Sequence, residues 1–190
     1  MEIDDRTALV VIDVQRGFDE PVWGRRNNPA CEDNVAALIG AWRAARRPLV
    51  YVRHDSREPG SPLRPGQSGN AFKDVVAGDP DVLVTKHVNS AFIGTPDLDA
   101  WLRERGITTL VLCGIQTNFC VETTARMAGN LGFTTYFVLD ATHTFDQRDL
   151  DGGVIPADEL ARVTASTLQI DFATVVSTSD VLHAHDRVAS

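Results

Sequence analysis

Ala8-Leu9-Val10-Val11-Ile12-Asp13 is an apolar run closed by a carboxylate. A strand with one face in water alternates apolar and polar residues, so a run apolar at every position reads as a strand covered on both faces, as in a parallel sheet. Five similar runs follow: Leu49 to Arg53, Val82 to Thr85, Thr109 to Cys113, Thr135 to Leu139 and Ala173 to Ser177. Stretches with helical spacing separate them. Val35, Leu38, Ile39 and Trp42 fall at i, i+3, i+4 and i+7, and Leu98, Trp101 and Leu102 mark a second helix. For that helix the sequence predicts Thr95 as N-cap, Pro96 at the first helical position and Gly106 just past the end. A third helix is predicted from about Phe119 to Leu131, ending at Gly132, and a fourth from Pro156 to about Ile170. Alternating strands and helices predict a three-layer α/β/α sandwich around a six-stranded, mostly parallel, Rossmann-like sheet.

The chain has 190 residues, 43% of them hydrophobic and 23% charged, which suits one folded domain over residues 1–190 and excludes disorder, coiled coil and collagen. No repeat or linker divides it. The formal charge of -8, with no Lys/Arg run longer than a pair, argues against nucleic acid or a membrane surface as partner and leaves a small molecule. No apolar stretch reaches membrane-spanning length, and the opening Met1-Glu2-Ile3-Asp4-Asp5 is acidic where a signal peptide is basic, so a cytoplasmic location is expected. Cys31, Cys113 and Cys120 are odd in number and lack CxxC spacing, which predicts neither a disulfide framework nor a zinc knuckle.

Ligands of open parallel sheets bind outside the carboxyl ends of the strands. Three chemically capable side chains stand there: Asp13 ends the first strand, Lys86 follows the third, and Cys113-Gly114 leads through a turn to Cys120. Taken singly each has an ordinary reading, as a turn cap, a solvated lysine and a small buried hydrophobe. Cys31 and Cys113 belong to that last class. Cys120 differs, because the first turn of a helix favours thiolate over thiol and a nearby ammonium lowers the pKa further. Asp13 is then placed to take the thiol proton and return it to a leaving group. Backbone N–H groups of the turn, at Gln116 and Cys120, are candidates for an oxyanion hole. No GxGxxG follows the first strand, where the sequence is Asp13-Val14-Gln15-Arg16-Gly17, so dinucleotide binding is disfavoured.

Three segments together resemble the isochorismatase-like cysteine hydrolase superfamily: Ala8 to Gln15, Val84-Thr85-Lys86-His87-Val88-Asn89-Ser90-Ala91-Phe92, and Gly114-Ile115-Gln116-Thr117-Asn118-Phe119-Cys120 continuing to Ala125. Asp140-Ala141 after the fifth strand also fits, and order and spacing hold over about residues 6 to 180. The resemblance implies that superfamily's hydrolase fold and an Asp-Lys-Cys triad at Asp13, Lys86 and Cys120. The implied chemistry is thiolate attack on an amide carbonyl, release of ammonia or an amine, and hydrolysis of the thioester. It also implies a cis peptide at Ile115-Gln116 and a homodimer or larger homo-oligomer.

Departures narrow the subclass. Members similar to isochorismate hydrolases generally lack the cysteine, so Cys120 draws the chain toward amidases acting on a small amide, imide or carbamoyl compound. Members similar to nicotinamidases carry an Asp-x-His metal site, whereas this stretch reads Val52-Arg53-His54-Asp55-Ser56-Arg57, so no metal and no cofactor are expected. A vinyl-ether or ester hydrolase relying on Asp13 and Lys86, a nicotinamidase-like amidase and a non-catalytic binding protein are the alternatives. Gln15, Phe18, Trp23, Asn89, Phe92 and Phe119 are candidate substrate contacts, and His143 is a candidate for the pocket mouth. His183 and His185 receive no role. The Pro/Gly-rich loop Arg57 to Gly69 is a candidate cover for the site.

Overall fold

All six residues of β1 (Thr7–Ile12) are buried, and their side chains alternate between two cores. Leu9 and Val11 enter one apolar cluster, and Ala8, Val10 and Ile12 enter the other. This is the strand periodicity of two, applied to a strand with helices on both sides. Leu9, Val10, Val11 and Ile12 each contribute about 1.5 to 3 kcal/mol through burial. In this computed structural model, which describes residues 1–76 and 78–189, β1 is the centre of the sheet.

The other elements are α1 (Cys31–Ala44), β2 (Leu49–His54), β3 (Val82–Lys86), β4 (Gly94–Thr95), α2 (Leu98–Glu104), β5 (Thr109–Ile115), α3 (Glu122–Asn130), β6 (Thr134–His143), β7 (Gln147–Arg148), β8 (Val154–Ile155), α4 (Ala157–Asp171), β9 (Thr174–Val176) and α5 (Thr178–Ala189). The main sheet runs β4-β3-β2-β1-β5-β6-β9, parallel except for the β3/β4 pair, and β7 and β8 form a separate small pair. Buried residues of α1 and α5 join the first core, and those of α2, α3 and α4 join the second. The chain moves outward from β1 through β2 and β3, then returns to β5 on the other side of β1. The carboxyl ends of β1 and β5 therefore flank the topological switch point, where a crevice opens.

The expected three-layer sandwich is the observed architecture, with differences at its margins. The six expected strands are β1, β2, β3, β5, β6 and β9; the seventh, β4, has two residues and no periodicity to read. Helix α2 is capped by Asp97, whose side chain accepts the Ala100 N–H at 3.1 Å, so Thr95 and Pro96 lie outside it, not at N-cap and N1. The third predicted helix divides: a single π turn, Thr117–Val121, precedes α3. Pro156 caps α4 instead of starting it. Helix α5 had no counterpart in the sequence reading, although Ser177-Thr178-Ser179-Asp180 is a capping-box pattern. The Ser177 N–H donates to Asp180 at 3.0 Å, and the Asp180 N–H donates to the Ser177 hydroxyl at 3.1 Å. Among the described residues, no helix is long and apolar enough to cross a membrane.

Candidate active site

Asp13 leaves β1 with φ 52°, a left-handed turn that Asp tolerates better than most residues. Its N–H donates to the Val52 carbonyl at 2.9 Å, holding the carboxylate against the ends of β1 and β2. Lys86 ends β3, two strands away, and its side chain reaches back across β2. On the other side, Gly114 takes φ 126° directly opposite Ile12. A Cβ at Gly114 would collide with the Ile12 carbonyl, so only glycine lets the chain turn here. The Ile115–Gln116 peptide that follows is cis, and the π turn then delivers Cys120.

These three groups meet in the interior. Asp13 and Lys86 are fully buried, and Cys120 is 7% exposed. The Lys86 Nζ donates to Asp13 Oδ2 at 2.6 Å and to Cys120 Sγ at 3.3 Å. Burial on its own lowers the pKa of a lysine, but the Asp13 carboxylate and the Cys120 sulfur outweigh it and raise that of Lys86, so the ammonium persists. Burial, and then the adjacent Asp13 carboxylate, push the Cys120 thiol up against the pull of Lys86. The lowering expected from the helix turn and from Lys86 is thus opposed by burial. Carboxylate, ammonium and neutral thiol sum to zero charge, whereas a thiolate would leave one buried negative charge uncompensated. Asp13 Oδ1 is buried and has no hydrogen-bond partner, which leaves an acceptor beside the sulfur for the thiol proton.

A cavity of about 390 Å³ opens above Cys120. Phe18, Val22, Trp23, Leu63, Phe119 and Phe145 supply its apolar wall, and His54, Asn89, Gln116, Asp146 and Gln147 supply polar groups. Phe18, Trp23 and Phe145 pack on one another with centroids 5.1 to 6.3 Å apart. Asn89 Oδ1 lies 3.8 Å from the thiol. Of the predicted contacts, Phe18, Trp23, Asn89 and Phe119 thus reach the cavity. Gln15 and Phe92 do not line it. Gln15 is fully buried, its amide clamping the His54 backbone, and Phe92 stacks on Phe133 in the second core. His143 is buried behind Phe145 instead of standing at the mouth. From the Arg57 to Gly69 loop, Leu63 lines the cavity, and Asn70 pins that loop through the Leu63 carbonyl at 2.9 Å. Leu63, Phe145, Asp146 and Gln147 escaped the sequence reading, because no periodicity or motif marks loop residues that fold back over a site.

The nicotinamidase type of metal site does not fit these residues. Asp55 is bound by Arg53 at 2.8 Å and by Asn70 at 3.0 Å, and His87 Nδ1 is 2.6 Å from the Asp55 carbonyl. Among the described residues, one trio of potential ligands gathers within 4.8 Å, namely Asp13, His54 and Cys120, and the Lys86 ammonium is hydrogen-bonded among all three.

The Isochorismatase domain family model matches residues 7–166. Isochorismatase family protein YrdC of Bacillus subtilis is 39% identical over 95% of this chain and 97% of its own length. A crystal structure of an isochorismatase-family protein from Chromobacterium violaceum superposes with a TM-score of 0.93 at 42% identity, covering 98% of this chain and 97% of that one. A cysteine hydrolase from Pseudomonas syringae pv. phaseolicola gives 0.87 at 28% identity, covering 98% and 96%. Fold, motif order and these likenesses together place the chain in the isochorismatase family.

Proposed function

We propose that this protein is a metal-independent cysteine hydrolase that cleaves the C–N bond of a small, uncharged amide through a thioester. The observation that carries this reading is the Lys86 ammonium in contact with both the Asp13 carboxylate and the Cys120 sulfur, at the floor of the only cavity that contains that sulfur among the described cavities. Similarity to a cysteine hydrolase supports it.

In the proposed cycle, Asp13 takes the thiol proton as sulfur attacks the carbonyl carbon. Backbone N–H groups of Gln116 and Cys120 receive the developing oxyanion. The protonated Asp13 gives its proton to the leaving nitrogen, the C–N bond breaks, and ammonia or an amine departs. Asp13, again a carboxylate, takes a proton from water as the water attacks the thioester carbon; the C–S bond breaks, the carboxylic acid departs, and that proton returns to the sulfur. Lys86 keeps its charge throughout and offsets the negative charge as it moves from carboxylate to sulfur. Among the described residues the cavity wall carries one formally charged side chain, the acidic Asp146, which Arg25 pairs at 2.9 Å, and the Lys86 ammonium at the floor is held by Asp13. A carboxylate-bearing substrate thus meets no free cation there, and desolvating an unpaired carboxylate is costly. This disfavours isochorismate, maleamate and carbamoyl amino acids relative to neutral amides.

The test is ammonia release from a panel containing nicotinamide, benzamide, maleamate, a carbamoyl amino acid and a ureidoacrylate, after chelator treatment, with wild type beside Cys120→Ala. Turnover of a neutral amide that vanishes in Cys120→Ala is the expected result. Turnover that survives Cys120→Ala but not Asp13→Asn would move the assignment to an ether or ester hydrolase.

A further inference from the structure

An alkylammonium group carries three N–H donors and no acceptor, and a fully buried one needs a partner for each. Asp13 and Cys120 account for two of the Lys86 protons. The third points at His54, whose Nδ1 is 3.3 Å from Lys86 Nζ. We propose that His54 is a positioning residue of the catalytic set, accepting the third Lys86 proton through an unprotonated Nδ1 and so aiming the other two at Asp13 and Cys120. The ring is thereby a neutral Nε2–H tautomer.

The fold is built to hold this contact. His54 and Lys86 are directly paired in the parallel β2/β3 ladder. Beyond that ladder, the Gln15 side chain grips both backbone groups of His54: Oε1 accepts its N–H at 2.8 Å, and Nε2 donates to its carbonyl at 3.0 Å. Gln15 also donates to the Asn70 carbonyl at 2.9 Å, and Asn70 donates to the His54 carbonyl at 3.2 Å. A fully buried glutamine and a buried asparagine thus fix the backbone of one half-buried histidine, and that histidine forms cavity wall beside Cys120. Such an investment of polar groups is unexplained if His54 is only a solvated strand end.

Charge follows the same logic. The groups acting on His54 are Lys86 and Asp13 from neighbouring strands, Asp55 next to it, and His87 beyond Lys86. Burial and then Lys86 lower its pKa, with Asp13 and Asp55 opposing. The ring is therefore neutral at pH 7. Protonating it places a second cation against the ammonium and removes the acceptor, so turnover is lost as pH falls through that lowered pKa.

Two measurements test this. The first needs no substrate: histidine ¹⁵N chemical shifts of the whole protein at pH 7, with His54 assigned by comparison with His54→Asn. A neutral ring with a bare Nδ1 is expected, and an Nδ1–H or a charged ring overturns the proposal even if the amidase reading stands. The second uses whichever amide shows Cys120-dependent turnover. His54→Phe, which keeps an apolar ring but has no acceptor, should lower kcat about tenfold or more with KM changed far less. His54→Asn, which can present an oxygen near the Nδ1 position, should recover part of the loss and abolish the acid limb assigned to His54. Equal kcat and an unchanged acid limb in both variants would refute the positioning role. If His54→Phe does not fold, His54→Asn and the ¹⁵N spectrum still decide.

Discussion

A buried ion pair is costly to break from one side. Replacing Lys86 by methionine removes the cation from a fully buried Asp13 carboxylate and leaves the charge uncompensated. Lys86→Met should therefore cost about 3 to 5 kcal/mol in urea unfolding and abolish turnover. Adding Asp13→Asn to that variant removes the orphan charge, so the double variant should be more stable than Lys86→Met alone, a non-additivity that reports the coupling directly. At this scale the sequence was informative where chemistry is tied to position. Asp13, Lys86 and Cys120 each sit at the carboxyl end of a strand or in the turn beyond it, and strand ends can be read from apolar runs. The grip of Gln15 on the His54 backbone was not legible, because an amide that holds another residue's backbone carries no mark in the primary structure. The opposing effect of burial on the Cys120 thiol was not legible either. Helix position argues for a thiolate, but the deciding quantity is burial beside Asp13, which only the folded chain reveals.

Among the elements, β6 carries the clearest consequence for pH. Its last residue, His143, is fully buried, and neither ring nitrogen has a hydrogen-bond partner. Burial, and then nearby Arg26, bring its pKa down to about 3. The unfolded chain takes up that proton near pH 6.5. Between about 6.5 and 3 the unfolded state therefore binds more protons, and stability is lost as pH falls through that window. His143→Phe should shift the acid unfolding midpoint, followed by far-UV circular dichroism, to lower pH; an unchanged midpoint would remove His143 as a cause. Glu32 acts lower on the scale. Burial raises its pKa, but Arg26 and Lys73 overcome that and hold it at about 2, so its contribution, present above about pH 4.5, fades toward 2. The spacing of apolar residues made α1 legible, and continuous apolar runs marked the six expected strands. The two-residue β4 and the π turn before α3 were not, since neither is long enough to show a period. Helix α5 was readable from its capping box, whereas its apolar residues Val181, Leu182 and Ala184 do not mark out a helical repeat by themselves.

For the molecule as a whole, the three proposed catalytic groups come from distant parts of the chain and are united by the sheet. Asp13 and Lys86 precede α2, and Cys120 follows it, with the short connection at residues 105–108 between. The central contact that joins these halves is the β1/β5 pairing, six residue pairs from Thr7↔Thr109 to Ile12↔Gly114. Severing the backbone at residues 105–108 would thus divide the enzyme into a piece holding carboxylate and ammonium and a piece holding the thiol. If the proposed amide hydrolysis holds, each piece alone should be inert, and mixing them should restore ammonia release only as fast as the two pieces find each other, with a rate that rises with their concentrations. Activity would then serve as a two-component sensor, reporting whether whatever is fused to each piece has brought the two together.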